Sequence, residues 1–177
     1  GFGNANKIMN RLLYHSNALV KIRIVKINGG NLRNAIPRES FSTIVVDENE
    51  KEKFLFELNN LIELIKEEFK TLEPNLVIDV NNSEIPKKVM NLETQNIFLK
   101  SIYATLNGVY RMSPDIPNLV ETSNNIAKVI VGDGKLSVQC LTRSSVETAK
   151  FDLANSLRSA FELMGCEVEF SGSYPGW

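Results

Sequence analysis

Two adjacent glycines, Gly29 and Gly30, lie between two strand-like runs and restrict the fold more than any other feature of the chain. Glycine permits a positive φ or a close approach of another backbone, both of which a side chain would prevent. Further along the same connection, Pro37 fixes its own φ and disfavours helix at Ile36. The sequence therefore predicts two strands joined by a constrained connection, the central loop (residues 28–39).

The central loop is rich in polar side chains that bind anions and peptide groups. It carries Asn31, Arg33, Asn34 and Arg38. Amide and guanidinium groups are well suited to binding a carboxylate or a peptide group. On residue types alone, a hairpin connection with a solvated polar tip is the simpler interpretation, since such loops are common.

The rest of the chain alternates between helical and extended patterns. Helices are predicted from Asn4 or Asn6 to about residue 14, at 47–71, at 92–106, and after a Ser144–Glu147 capping box. Strands are predicted at 20–27, 41–46, 76–80, 121–131 and 135–143, and over the apolar alternation of Cys166, Val168 and Phe170. In the first strand the apolar residues move from even to odd positions at Val25, which indicates a bulge or a strand covered on both faces. No internal repeat is visible in the sequence.

These elements predict an α+β fold, a two-layer sandwich with a mainly antiparallel sheet and helices packed on one face. At 177 residues a single domain, 1–177, is expected, with a helical segment inserted at about 48–118.

Composition excludes several classes of function. With 20 basic and 21 acidic residues, the chain lacks the basic excess of a nucleic-acid-binding protein. No apolar run approaches the roughly 20 residues that cross a bilayer, and no signal peptide is visible. Cys140 and Cys166 lie in apolar strand patterns and are interpreted as small buried hydrophobes in a reducing compartment. We therefore expect a cytoplasmic protein without nucleic-acid or membrane partners.

Catalytic groups are scarce. A catalytic zinc ion needs about three protein ligands, yet His15 is the only histidine and most acidic residues fall on helix faces. Without a second histidine, neither a Ser-His-Asp nor a Cys-His arrangement can be assembled. We predict no catalytic residue and no metal ligand in this chain, and no hydrolysis by the chain alone.

Four motifs, taken together, carry a resemblance to a known family. They are Gly-Asn-Ala-Asn-Lys at 3–7, Gly-Gly-Asn-Leu-Arg-Asn-Ala-Ile-Pro at 29–37, Asn-Gly-Val-Tyr-Arg-Met at 107–112 and Tyr-Pro-Gly-Trp at 174–177, and the segment at 120–125 also fits. In this order they resemble the lid, or dimerisation-type, domain of the zinc-dependent Xaa-His dipeptidases, which are carnosinase-like metallopeptidases. The resemblance implies a ferredoxin-like β-α-β-β-α-β core with insertions. It also implies zinc in a separate catalytic domain of the same polypeptide and none in this chain.

The resemblance assigns two substrate-binding residues, Asn34 in the central loop and Arg143 near the end of the strand before the last helix. Arg143 is implied to bind the C-terminal carboxylate of the dipeptide, and Asn34 the same carboxylate or the adjacent backbone. Such contacts would orient the scissile bond when the lid closes. The alternatives are a cross-strand ion pair for Arg143 and a turn-stabilising side chain for Asn34.

The chain also departs from the family pattern. The lid histidine of the family, implied to stabilise the oxyanion, belongs to a segment upstream of Gly1, and the first core strand is absent. We therefore expect this chain to be part of a longer protein. A homodimer through the last helix or the edge of the 121–131 strand is a further expectation. A free-standing regulatory module that binds an amino-acid-like ligand is the alternative, and an RNA-binding sandwich is a third and weaker one.

Overall fold

The computed structural model describes residues 2–173, which form four helices and five strands. The helices are α1 (Ala5–Val20), α2 (Lys51–Phe69), α3 (Leu92–Ala104) and α4 (Glu147–Glu162), and a short 3-10 turn at Glu48–Glu50 leads into α2. The strands are β1 (Arg23–Gly29), β2 (Ser40–Val45), β3 (Gly108–Met112), β4 (Val120–Gly132) and β5 (Lys135–Ser144). The motif at 174–177 lies outside the described residues.

All five strands belong to one antiparallel sheet with β4 at its centre. β5 pairs with β4 along almost its whole length, through the Gly-Asp-Gly hairpin predicted from the sequence. On the other edge of β4, β3 pairs with the first half of the strand and β1 with the second half, end to end. β2 completes the sheet on the outer edge of β1. The predicted α+β fold is confirmed.

The helices pack on the face of the sheet to which the apolar strand positions point. Ile22, Ile24 and Ile126 are fully buried there, together with Phe98 of α3 and Ile65 of α2. The β1–β2 register shifts between Ile24 and Lys26, so the predicted bulge at Val25 is present. Because of this bulge, Ile27 returns to the core face although it is an odd number of residues from Ile24. None of the helices in residues 2–173 is long and apolar enough to cross a bilayer.

Several elements differ from the sequence-based prediction. Residues 108–112, placed in the helical insertion, form β3 of the main sheet, while residues 76–80 and 166–170 form no strand. Their apolar alternation was identified correctly, but a strand also needs a neighbour, and residues 2–173 provide none for either segment.

Two further predictions are wrong. β4, proposed as an open edge for dimerisation, is the central strand and has partners on both edges. Ser144 does not cap α4, because it still belongs to β5, where it faces Thr122, and its Oγ accepts a hydrogen bond from the Val146 N–H at 3.1 Å.

The order of elements contains a repetition that the sequence does not show. The series helix–strand–strand–helix occurs as α1-β1-β2-α2 and again as α3-β4-β5-α4, with β3 inserted in the second series. The two hairpins meet where β1 and β4 pair in antiparallel fashion, which gives the sheet order β2-β1-β4-β5 across its centre. The arrangement is therefore approximately symmetric about the β1–β4 junction.

Candidate functional site: the central loop and the groove beside β5

Both glycines of the central loop are sterically required. A Cβ atom on Gly29 would lie 1.8 Å from Oδ1 of Asn6, and one on Gly30 would lie 1.9 Å from the carbonyl oxygen of Ala127. Gly30 also has a φ of 82°, in the left-handed region that favours glycine. The predicted constrained loop is confirmed, and its base lies directly against α1 and β4.

A cluster of asparagines fills the space between the ends of β1 and β3 along β4. Nδ2 of Asn4 donates to Oδ1 of Asn107 at 2.9 Å and to the carbonyl of Ile126 at 3.1 Å. The Ile126 N–H in turn donates to Oδ1 of Asn107 at 2.9 Å, and Asn6 donates to the Ile126 carbonyl at 3.3 Å. The asparagine side chains thus pair with the backbone of β4 where no strand does. These residues of the family motifs therefore hold the fold together.

The same cluster positions the central loop. Nδ2 of Asn125 donates to the carbonyl of Ala35 at 2.7 Å, and the Ala5 N–H donates to the carbonyl of Pro37 at 3.0 Å. Asn34 precedes Ala35 in a tight turn and is exposed. The turn that carries Asn34 is thereby fixed to β4 and to the start of α1.

Arg38, one of the two arginines of the central loop, is part of a structural ion pair. Its guanidinium binds both carboxylate oxygens of Glu73, with Nη1 at 2.7 Å from Oε1, and the Gly3 N–H donates to Oε1 at 2.8 Å. These hydrogen bonds, with that from Arg38 the strongest influence, lower the pKa of Glu73 to about 2. Arg38 therefore fastens the loop to the end of α2.

The other arginine of the loop, Arg33, borders a groove of about 360 Å³ beside β5. The groove lies between the end of β5, helix α4 and the segment at 168–173. Nη1 of Arg33 donates to Oγ of Ser171 at 3.3 Å, and both residues line the groove. Its lining contains four cationic and two acidic side chains, namely Arg33, Arg143, Lys150, Arg158, Glu121 and Glu169. The balance favours an anionic ligand group.

Of the two substrate-binding residues predicted from the sequence, Arg143 borders the groove and Asn34 does not. Arg143 is exposed, borders the groove and lies opposite Ser123 in the register of β4 and β5. Ser123 and Asn125 point to the same face because side chains alternate along a strand, and Asn125 holds the turn that carries Asn34. Asn34 itself does not line the groove, whereas its neighbour Arg33 does. Sequence reasoning counted Arg33 among the polar loop residues but did not select it.

Within residues 2–173, no three histidine, cysteine, aspartate or glutamate side chains come together as metal ligands. Both cysteines are free and half-buried. Burial raises the pKa of the Cys140 thiol to about 11, so it stays protonated at neutral pH and is a poor ligand. His15 is exposed. The part of the chain that the structure describes therefore offers no ligand set that fits zinc.

Comparison with known proteins first finds a family of domains that matches part of the chain. Residues 2–73 match the family described as a peptidase dimerisation domain. This part includes α1, the β1–β2 hairpin with the central loop, and α2.

Two longer relatives match beyond that region. The chain is 35% identical over its full 177 residues to the cytosol non-specific dipeptidase of Escherichia coli (strain K12), and it covers 36% of that protein. It is also similar to the crystal structure of aminoacylhistidine dipeptidase from Vibrio alginolyticus, with a TM-score of 0.95 and 36% identity over 99% of this chain and 36% of that chain. The recognition of the chain as a lid, or dimerisation-type, domain like those of dipeptidases is confirmed. The chain spans little more than a third of these relatives.

Proposed function

We propose that this chain is the non-catalytic lid of a longer zinc-dependent dipeptidase that hydrolyses Xaa-His dipeptides. The observation that carries the proposal is the match of 99% of the chain to an aminoacylhistidine dipeptidase at a TM-score of 0.95. Such similarity over nearly the whole of this chain supports a shared role more strongly than a common fold alone would. In this account the remaining part of the protein forms the catalytic domain.

The lid binds the carboxylate of the dipeptide through Arg143 and Asn34. The exposed guanidinium of Arg143 can make two parallel hydrogen bonds to a carboxylate, and the amide of Asn34 can donate a further one. Arg33, which also lines the groove, adds positive charge that attracts the anion. Because substrate would bridge the lid and the catalytic domain, its binding favours closure and orients the scissile bond.

Zinc, in this proposal, is held outside residues 1–177. The ion supplies Lewis-acid activation of water when it is bound, while the lid binds and orients the substrate. The predicted cytoplasmic location belongs to the same proposal and is supported by the description of the Escherichia coli relative as a cytosol enzyme. A homodimer through the lid is also proposed, and the family description of residues 2–73 supports it.

The test separates the lid from the longer protein. Zinc titration by calorimetry should show no stoichiometric submicromolar binding to residues 1–177, and this chain alone should not cleave an Xaa-His dipeptide. The longer protein loaded with zinc should cleave it. Tight zinc binding or cleavage by residues 1–177 would contradict the proposal. Light scattering of the longer protein at high concentration tests the homodimer. A molecular mass equal to that of one chain would contradict it.

A further inference from the structure

We infer that Asn125 of β4 is a positioning residue for the proposed hydrolysis, because its side-chain amide holds the turn at residues 31–36 where Asn34 can reach the substrate. The inference rests on the proposed function, in which Asn34 binds the dipeptide. It adds a residue that does not itself bind the substrate and acts only through Asn34.

Burial does not hold the turn in place. Residues 31–34 are all exposed, and Ala35 is only half-buried. The two large apolar side chains of the turn, Leu32 and Ile36, are 63% and 39% exposed. Apolar side chains that remain largely in water contribute little to holding a segment against the rest of a protein. The position of the turn therefore depends on polar contacts.

One hydrogen bond attaches the backbone of the turn to the sheet. Nδ2 of Asn125 donates to the carbonyl of Ala35 at 2.7 Å. Within residues 2–173, no other hydrogen bond connects the backbone of residues 31–36 to a residue outside the central loop. The bond from the Ala35 N–H to the Leu32 carbonyl, at 3.4 Å, is local to the turn. Loss of the Asn125 amide should therefore release the turn.

Asn125 is itself held in one orientation. It is half-buried in the central strand, opposite Leu141 of β5. Its Oδ1 accepts a hydrogen bond at 3.0 Å from Nδ2 of Asn4, which is buried at the start of α1. Because the amide oxygen is engaged by Asn4, the amide nitrogen is directed to Ala35. Asn125 thus transfers the position of a rigid strand to an exposed turn.

The same short stretch of β4 also sets the position of Arg143. Arg143 lies opposite Ser123, two positions before Asn125 along the strand, and two residues of a strand span about 7 Å. Productive binding requires side chains to be placed within about 0.5 Å, and a misplacement of about 1 Å can lower a rate by about 100-fold. Loss of the bond between Asn125 and Ala35 should therefore be visible in the kinetics.

A double-mutant cycle in the longer, zinc-loaded protein tests the inference. Asn125→Ala should lower kcat/KM for an Xaa-His dipeptide by about 5–100-fold, and by no more than Asn34→Ala does. In the N34A background, N125A should change kcat/KM by less than about two-fold, because the group that it positions is already absent. Effects that multiply independently would overturn the inference, as would wild-type activity of N125A.

Asn125→Asp separates the hydrogen bond from packing. Aspartate has nearly the same shape and can still accept from Asn4, but its ionised carboxylate cannot donate to the Ala35 carbonyl. N125D should therefore be impaired like N125A, and wild-type activity of N125D would contradict the assignment. If N125A does not fold, N125D takes its place in the cycle.

Backbone order parameters provide a readout that does not need catalysis. In residues 1–177, nitrogen-15 relaxation of amides 33–36 should change from about 0.85, typical of rigid backbone, to below about 0.6 in N125A. Asn17→Ala is the matched control, since Asn17 is a half-buried asparagine whose amide donates to Oδ1 of Asn96 at 2.8 Å and joins α1 to α3. N17A should leave these order parameters unchanged and kcat/KM within about two-fold of the wild type. Unchanged order parameters in N125A would overturn the inference.

The outcomes distinguish the inference from the proposed function. An impaired N34A together with a fully active N125A would refute the role of Asn125 alone. A fully active N34A would refute the proposed role of Asn34 and, with it, the positioning role of Asn125.

Discussion

Replacing Gly30 by alanine tests whether the central loop is held by its close approach to β4. The added Cβ would lie 1.9 Å from the carbonyl oxygen of Ala127, at a residue whose φ is 82°. A left-handed conformation costs alanine about 1–2 kcal/mol. Displacing a packed backbone group costs about 1–3 kcal/mol more. The free energy of unfolding should therefore fall by about 2–5 kcal/mol.

Gly134 provides a matched control. It has a φ of 74°, but a Cβ atom there would meet nothing within 4 Å, so Gly134→Ala carries only the conformational cost. With a urea m-value of about 2 kcal/mol/M, G134A should lower the midpoint of urea denaturation by about 0.5–1 M and G30A by about 1–2.5 M. Far-UV circular dichroism during urea titration measures both. Equal shifts for the two variants would show that the contact with Ala127 does not hold the loop.

Two further predictions concern groups that join distant parts of the chain. Asn107→Ala removes the acceptor of the buried Ile126 N–H and should lower the free energy of unfolding by about 1–3 kcal/mol. Urea denaturation measures this change. A decrease below about 0.5 kcal/mol, roughly the size expected at surface positions, would contradict the bridging role of Asn107. Glu73→Gln tests the ion pair with Arg38. Because the folded-state pKa of Glu73 is lowered from 4.5 to about 2, its contribution to stability is present above pH 4.5 and is lost as the pH falls towards 2. The wild type should be more stable than E73Q at neutral pH, and the difference in stability should shrink as the pH falls from 4.5 towards 2. A difference that does not depend on pH would refute the ion pair between Glu73 and Arg38.

Much of the fold could be predicted because it depends on local patterns. The bulge at Val25 follows from a change in the apolar alternation within one strand, and the constrained conformation of the central loop follows from its own glycines and proline. The segment at 166–170 shows the limit of such patterns. Its alternation is that of a strand, but pairing depends on a neighbour that no local pattern identifies.

The asparagine cluster and the site could be predicted only in part, because they depend on contacts between distant residues. Asn4 and Asn107 are 103 positions apart, and no spacing in the sequence connects them. The resemblance selected Asn34 and Arg143 as site residues, whereas Arg33 lines the groove by virtue of the folded loop. The separate roles of Arg33 and Arg38 follow from their neighbours, Ser171 and Glu73, which are far away in sequence.

The most direct test of the lid as a substrate-binding cover is the kinetics of Arg143→Met and Asn34→Ala in the longer, zinc-loaded protein. Charge-assisted hydrogen bonds contribute about 1.5–3 kcal/mol, so R143M and N34A should each lower kcat/KM for an Xaa-His dipeptide by about 10–150-fold. The controls are Arg11→Met, which removes an ion pair between Arg11 of α1 and Glu68 of α2, and Asn31→Ala at an exposed position of the central loop. Both should stay within about two-fold of the wild type. If R143M and N34A were as active as these controls, the central claim would be wrong.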